Sequence, residues 1–295
     1  MNLPTVTVDR QELTVTNLDK VFWPEEGYTK ADIMNYYVRV WPLLAPHLRD
    51  RPLSLARYPD GITGEYFYQK DCPETPDFVE TVEIPSADRV IRYSMANNLP
   101  TVIWAVNLGA IEFHPWLSTR YDLERPTYAV FDLDPMPPAT YADAVRVAQA
   151  IKTLTDRLGL ALYPKLSGAT GLHLYLPIAP RYTFRQTATF VKRLGEAVIA
   201  AMPELATNVR RVSERAGKVY LDHLQNLRGK TIASVYSLRP LPGAPVSLPV
   251  TWEELPTTNP PDFLLPKALA RLEKVGDLFA DLLHLRQELP PELLV

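Results

Sequence analysis

The stretch Tyr128-Ala129-Val130-Phe131-Asp132-Leu133-Asp134-Pro135 reads as a buried β-strand that runs into two carboxylates and stops at a proline, which cannot donate to a ladder. Side chains alternate across a strand, so Asp132 and Asp134 share a face with Tyr128 and Val130, while Phe131 and Leu133 point the other way. Two neighbouring carboxylates repel one another. A hard divalent cation such as magnesium or manganese neutralises the pair; without one, one of the two is pushed toward its neutral form. A solvated strand end with one aspartate capping the next turn gives the same pattern, so the pair needs partners elsewhere in the chain.

The segments that follow supply them. Apolar spacing through Ala144, Val147, Ala148, Ile151 and Leu154 predicts a helix over 141–158, and a second helix is predicted over 184–202. Strands are predicted over 127–133, 160–166, 172–176 and 218–222, with Ser167-Gly168-Ala169-Thr170-Gly171 as the turn between the second and third. The order is β-α-β-β-α-β, the split unit of ferredoxin-like and RNA-recognition folds. In it the strands lie 4-1-3-2 with antiparallel neighbours, which brings Asp132, Asp134, the 167–171 hairpin, His173 and the Arg215-Ala216-Gly217-Lys218 approach to one rim. Alternation sends Leu172, Leu174, Leu176, Val219 and Leu221 to the helices and leaves His173, Tyr175, Tyr220 and Asp222 on the carboxylate face. Asp222 is thereby a third acid beside the first two. Three acids on a face that no helix of their own unit covers are hard to explain as structure. The N-terminal lobe is the expected cover, with the cleft between the lobes as the expected site.

The first half of the chain reads differently. Residues 1–10 are expected to be a loose arm, followed by a strand at 12–16. Thr29-x-x-Asp32 has the form of a capping box and opens a helix carrying Ile33, Tyr36, Tyr37 and Val40, which Pro42 and Pro46 are expected to limit. Strands are predicted at 53–58, 66–70, 89–93 and 110–114, and a helix at 99–108. The fold class is therefore α+β: an RNA-recognition-like catalytic unit at 121–255 packed on an N-terminal α/β lobe at 11–120, with a helical extension at 256–295, all within one domain of 1–295.

Composition narrows the possibilities. Apolar residues at 46% and charged residues at 22% are ordinary for a soluble globular protein, so no disorder is expected beyond the ends. Cys72 is the only cysteine, which excludes an internal disulfide and a cysteine-based zinc site and favours a reducing cytoplasm. No apolar run approaches the roughly 18 residues of a membrane span, and Met1-Asn2-Leu3-Pro4 lacks the layout of a signal peptide. A net charge of -3 argues against wholesale coating of nucleic acid. A local basic groove is compatible with it: between Val209 and Arg239, residues Arg210, Arg211, Arg215, Lys218, Arg228, Lys230 and Arg239 outnumber Glu214 and Asp222. Carboxylates that hold two divalent ions roughly 3.5 to 4 Å apart stabilise the attacking and leaving oxygens of phosphoryl or nucleotidyl transfer. Such a site needs cations for a triphosphate, and a small, glycine-bearing turn can present N–H groups and hydroxyls to phosphate.

The ordered motifs also match a known family. They are Leu18-Asp19-Lys20-Val21-Phe22-Trp23-Pro24, Thr29-Lys30, Phe67-Tyr68-Gln69-Lys70, Gly109-Ala110-Ile111-Glu112-Phe113-His114-Pro115-Trp116, Phe131-Asp132-Leu133-Asp134-Pro135, Ser167-Gly168-x-x-Gly171-Leu172-His173, Asp222-x-x-Gln225-Asn226 and Tyr236-Ser237-Leu238-Arg239. Over about 13–255 the chain resembles the archaeo-eukaryotic primase superfamily, specifically the primase-polymerase domain of bacterial ATP-dependent DNA ligase D and its stand-alone relatives. The resemblance implies a two-lobed primase-like fold and a template-dependent nucleotidyltransferase using manganese or magnesium. It would extend DNA ends or fill short gaps with ribo- or deoxyribonucleoside triphosphates, favouring the ribonucleotides, in non-homologous end joining or gap repair.

Carried over, the resemblance makes Asp132, Asp134 and Asp222 the catalytic metal ligands. Ser167, Thr170, His173, Arg215 and Arg239 hold the incoming nucleotide, with His114 near its sugar. Lys20 and Lys30 grip a DNA 5′-phosphate, Phe67 and Tyr68 stack on template bases, and Lys70 lies close by. Thr170 stands where the family commonly has lysine, and Tyr68 where it commonly has phenylalanine. No Lys-x-Asp-Gly occurs, so the ligase's nucleotidyl-lysine signature is absent, and a separate ATP-dependent DNA ligase and Ku are the expected partners in a cytoplasmic, nucleoid-associated protein. Three alternatives stay open. A replicative or plasmid primase of the same superfamily differs only at the Lys20/Lys30 pair. A metal-dependent nucleotide-sugar transferase requires a parallel sheet, and a single-strand binder wants aromatic residues where this sheet places aspartates.

Overall fold

The computed structural model describes residues 4–258 and 262–295. The chain forms two compact units: Met1–Tyr121 with Thr231–Val246 and Phe263–Gly276, and Asp122–Lys230 with Ser247–Asp262 and Asp277–Val295. In this grouping Thr231–Val246 and Phe263–Gly276 join the first unit, while most of 11–120 and 121–230 fall in separate units.

In the first unit, β1 (Thr5–Val8) pairs antiparallel with β2 (Gln11–Thr14) across Asp9 and Arg10, both at positive φ. This is the primed-turn geometry whose twist suits a hairpin. The expected loose arm is therefore a strand from Thr5 onward, and its Met1–Leu3 portion lies outside the described residues. A short hairpin of β3 (Val21–Trp23) and β4 (Tyr28–Thr29) leads into α1 (Lys30–Leu48), opened by the Thr29/Asp32 capping box. Pro42 and Pro46 do not limit this helix. The buried stripe Ile33, Tyr36, Tyr37, Val40, Leu44 and Leu48 continues through both prolines, and its burial outweighs two missing backbone donors.

Next come β5 (Leu53–Arg57), β6 (Phe67–Gln69), a hairpin of β7 (Glu80–Pro85) and β8 (Val90–Met95), α2 (Leu99–Asn107) and β9 (Ala110–Pro115). An antiparallel sheet runs β6-β5-β9. Thr231–Val246 belongs here because it bonds along β9 and onto α1. Ser234 N donates to Phe113 O at 2.9 Å, Phe113 N donates to Ser237 Oγ at 3.1 Å, and Tyr36 Oη donates to Tyr236 O at 2.8 Å.

The second unit contains β10 (Tyr128–Pro135), α3 (Tyr141–Arg157), β11 (Tyr163–Leu166), β12 (Leu172–Pro177), α4 (Phe184–Ala201), β13 (Ala206–Thr207) and β14 (Val219–Leu221). Its sheet runs β11-β12-β10-β14-β13. The first four strands are antiparallel in the expected 4-1-3-2 order, and β13 adds a parallel edge beside β14. This antiparallel core lacks the parallel order that a nucleotide-sugar transferase requires. The register sets Asp132 opposite His173, Val130 opposite Tyr175 and Asp134 opposite Tyr220, while Leu133 faces Leu172 and Leu221. Gly195 on α4 is tight against the helix side: a Cβ there would lie 3.3 Å from Leu221 Cδ2.

Part of the opposite face is covered from within the unit. Phe279 is 2% exposed and packs against Tyr163 and Tyr175, with ring centroids 6.2 and 5.5 Å away. It is anchored by a C-terminal run that pairs Gln287 with Ile178 and gives Ala161 N a partner in Gln287 Oε1. The remaining helix, Leu265–Val275, belongs to the first unit.

β14 ends at Leu221, before it reaches Val130 on β10. Fully buried Asn226 takes over the ladder there: its Oδ1 accepts from Val130 N at 2.8 Å and its Nδ2 donates to Val130 O at 2.7 Å. Asn226→Leu keeps the volume and strands both Val130 groups, at about 1–3 kcal/mol each. Urea unfolding is expected to show a lower midpoint at unchanged slope.

Candidate functional site

The acid rim lies wholly in the second unit. Asp132 is buried, and its Oδ1 lies 3.4 Å from His173 Nε2. Asp134 sits one pleat further along, half-buried, against the hairpin. The hairpin approaches so closely that a Cβ on Gly171 would fall 2.4 Å from Leu133 O and 3.2 Å from Asp134 Oδ1, so only glycine fits. Asp222 arrives through the backbone, its N–H donating to Asp132 O at 3.0 Å. Its Oδ1 accepts from Leu224 N at 2.9 Å, capping the short 3-10 turn at His223–Asn226.

Among the described residues, no three His, Cys, Asp or Glu side chains close into a metal-ligating group. The donor set nonetheless suits a hard cation: carboxylate oxygens on adjacent backbone positions, one of them with its second oxygen outside the cap.

Around these acids the second unit places the other expected residues. Ser167 is buried, and its Oγ accepts from Ala169 N and Gly171 N, each at 3.1 Å, so those two N–H groups brace the turn. Thr170 is exposed at the tip. Arg215 lies over the Tyr220 ring, its Cζ 3.4 Å from the centroid, and donates through Nε to Val209 O at 2.8 Å.

Sequence reasoning missed Lys165. It pairs opposite His173, which puts it on the acid face, and it is fully buried with its Nζ bonded to Ser247 Oγ. Counting alternation back across the hairpin from His173 finds it.

The other expected residues lie in the first unit. His114 on β9 has its Nε2 3.3 Å from Glu112 Oε2, and Arg239 Nε donates to Glu112 Oε1 at 2.5 Å. Glu112 stands two residues before His114 on the same strand, and that spacing is the signal for a shared face. Burial raises the Glu112 carboxyl, but the hydrogen bonds and charges of His114 and Arg239 outweigh it and hold the group below its ordinary range.

Phe67 and Tyr68 are successive on β6, so they face opposite ways. Phe67 lies 4.8 Å from the Arg57 guanidinium, and Tyr68 packs edge-on to His114 at 5.2 Å. Lys70 is exposed beyond the strand end.

Lys20 and Lys30 are neighbours at the N-terminal end of α1, where Lys30 N donates to Lys20 O at 2.9 Å. Lys20 Nζ meets Asp60 Oδ1 at 2.5 Å. Lys30 Nζ donates to Thr16 O and Asn107 O at 2.8 and 2.9 Å, and burial followed by repulsion from Lys20 lowers its pKa.

The second unit is thus a sheet of RNA-recognition topology with acids and a histidine gathered at one rim. The family model "LigD, primase-polymerase domain" matches residues 29–279, and the chain belongs to that family. It is 35% identical over 282 residues to the bifunctional non-homologous end joining protein LigD of Bacillus subtilis (strain 168), covering 95% of this chain and 45% of that protein. To the multifunctional LigD of Mycolicibacterium smegmatis it is 33% identical over 275 residues, covering 92% and 36%. The chain thus spans less than half the length of these relatives. Its fold matches the polymerase domain of Mycobacterium tuberculosis ligase D, solved in complex with DNA, with a TM-score of 0.87 and 31% identity over 93% of this chain and 99% of that one.

Gly171→Ala forces either the hairpin or the Asp134 end of β10 to move. It is expected to weaken manganese binding, read by titration calorimetry, by about 10- to 100-fold, the usual cost of disturbing groups that support metal ligands. Unfolding temperature is expected to change far less.

Proposed function

We propose that the protein is a template-dependent nucleotidyltransferase that extends DNA ends or fills short gaps in end joining or gap repair. The observation that carries this reading is the register of β10, which sets Asp132 and Asp134 on the face that also bears His173, beside Asp222. Asp132, Asp134 and Asp222 would hold manganese or magnesium, which when bound supplies charge stabilisation for attack of a primer 3′-hydroxyl on a nucleoside triphosphate. His173 orients Asp132, and the braced Ser167 hairpin with exposed Thr170 offers hydroxyls to the triphosphate. Thr170 brings no charge there, so the positive charge beside that rim comes from Arg215 and from Lys165 on the acid face. In the first unit, Arg239 and His114 serve the phosphates and the sugar, and Phe67 and Tyr68 the template, each from its own face of β6.

The Lys20/Lys30 pair reads a 5′-phosphate, an anion suited to a lysine pair at a helix N-terminus. That reading favours end and gap substrates over a replicative primase. A separate ligase and Ku are the partners of such a protein, and the cytoplasmic nucleoid its place. No helix among the described residues is long and apolar enough to cross a membrane.

Primer extension tests the two halves independently. Asp132→Ala with Asp134→Ala is expected to reduce nucleotide addition about a thousandfold with the fold retained, as expected for loss of the main charge stabilisation at the reacting phosphate; extension at the parent rate sinks the metal assignment. Lys30 also ties two backbone carbonyls, so Lys20→Ala is the cleaner test of phosphate recognition. Its preference for a 5′-phosphorylated gap over an unphosphorylated one is expected to fall about 10- to 100-fold, the worth of a hydrogen bond to a charged group. An unchanged preference removes the end-recognition claim.

A further inference from the structure

Tyr220 lies on the acid face, and the proposed reading gives it no task. On β14 it alternates with Val219 and Leu221, which puts its ring on the side that carries Asp134 and Asp222. The residue is 4% exposed, and a phenol buried that far needs a partner for its hydroxyl. The partner is a carboxylate: Tyr220 Oη donates to Asp222 Oδ1 at 3.4 Å. A carboxylate only accepts, so the single hydroxyl proton is directed at it. Leu224 N donates to the same oxygen at 2.9 Å, so both donors fall on Oδ1 and Oδ2 is the oxygen left for a cation.

The face of the same ring carries the guanidinium of Arg215. Its Cζ is 3.4 Å from the centroid, against 4.8 Å for Arg57 over Phe67, so the two flat groups are in stacking contact. Arg215 Nε and Nη2 donate to Val209 O and Arg210 O, which leaves Nη1 for a ligand. Ring and carbonyls together fix the plane of a side chain that is otherwise rich in rotamers. We infer that Tyr220 is a positioning residue with two separable parts: its hydroxyl orients Asp222, and its ring is the bed that holds Arg215. The inference rests on the proposed reading of Asp222 as a metal ligand and Arg215 as a triphosphate contact. It deepens that reading by placing both under one side chain. Phenylalanine at this position keeps the bed and loses the donor; leucine loses both.

Manganese binding to the full chain without nucleotide, read by titration calorimetry, reports on the hydroxyl. Primer extension with ATP opposite a template thymine at saturating manganese, resolved into KM and kcat, reports on the ring. Tyr220→Phe is expected to raise the manganese Kd about tenfold, the lower end of what a group supporting a metal ligand is worth, with the KM for ATP unchanged. Tyr220→Leu is expected to add a rise in KM of about 3- to 30-fold, the worth of the lost cation–π contact, with kcat falling far less. A tyrosine that only fills space would lower the unfolding temperature of both variants and leave Kd and KM at their parent values, which overturns the inference. Asp222→Asn and Arg215→Ala separate that result from failure of the underlying reading. If Asp222→Asn weakens manganese binding and Tyr220→Phe does not, or if Arg215→Ala raises the KM and Tyr220→Leu does not, the positioning role falls and the site assignment stands. If Asp222→Asn leaves the Kd and Arg215→Ala leaves the KM at parent values, the site assignment falls and takes the inference with it. Should Tyr220→Leu fail to fold, Tyr220→Phe decides alone because it keeps the ring: parent manganese affinity overturns the inference, and a tenfold loss at unchanged KM supports it.

Discussion

The antiparallel pairing of β10 with β12 on one side and β14 on the other is the constraint on which the second unit depends. Because strand side chains have a period of two, a slip of one residue would turn Asp132 and Asp134 into the helix-covered layer and bring Phe131 and Leu133 out. Three separate features hold that register. The Asp222 N–H reaches Asp132 O where β14 ends, Asn226 brackets Val130 with its amide, and Gly171 lets the hairpin close onto Leu133 O. All three lie within a few residues of the acids, so the features that fix the sheet are the ones that fix the site.

In the first unit two buried charges are stabilised in opposite ways. Glu112 is desolvated, yet its two donors more than compensate, and it is held in the charged form. Lys30 is desolvated and has a like charge beside it, and only neutral carbonyls face its ammonium, so its charged form is disfavoured. On the proposed reading, a phosphate arriving beside Lys30 would offset both the burial and the repulsion at its ammonium. The Lys20–Asp60 contact is the competing interaction that such an anion must displace.

Much of this was legible in the sequence where alternation or helical spacing ran unbroken. The faces assigned from Asp132, Asp134, His173 and Tyr220 are those of the observed register, and Thr29 caps α1 with Asp32 as the motif requires. What the sequence hid was long-range. Nothing local says that Thr231–Val246 leaves the second unit to bond along β9, or that Phe279 covers Tyr163 and Tyr175. Lys165 was missed because a charged residue in a short strand reads as solvent-facing until its cross-strand partner is known. Pro42 and Pro46 misled because local propensity was weighed without the buried stripe that overrides it.

The aspartate cap first considered for Asp132 or Asp134 does exist in the structure, but on Asp222. This does not count against Asp222 as a ligand. One carboxylate oxygen engaged by Leu224 N fixes the side chain's position while the other remains outside the cap, and ordering a ligand in advance lowers what must be ordered when the cation arrives. Ser167 works the same way: its oxygen accepts from two backbone N–H groups of the hairpin, which fixes where its own hydroxyl proton can point. Glu112 does it for two groups at once. In each case a hydrogen bond that looks purely structural also fixes where the side chain of a proposed site residue, or of its neighbour, is held.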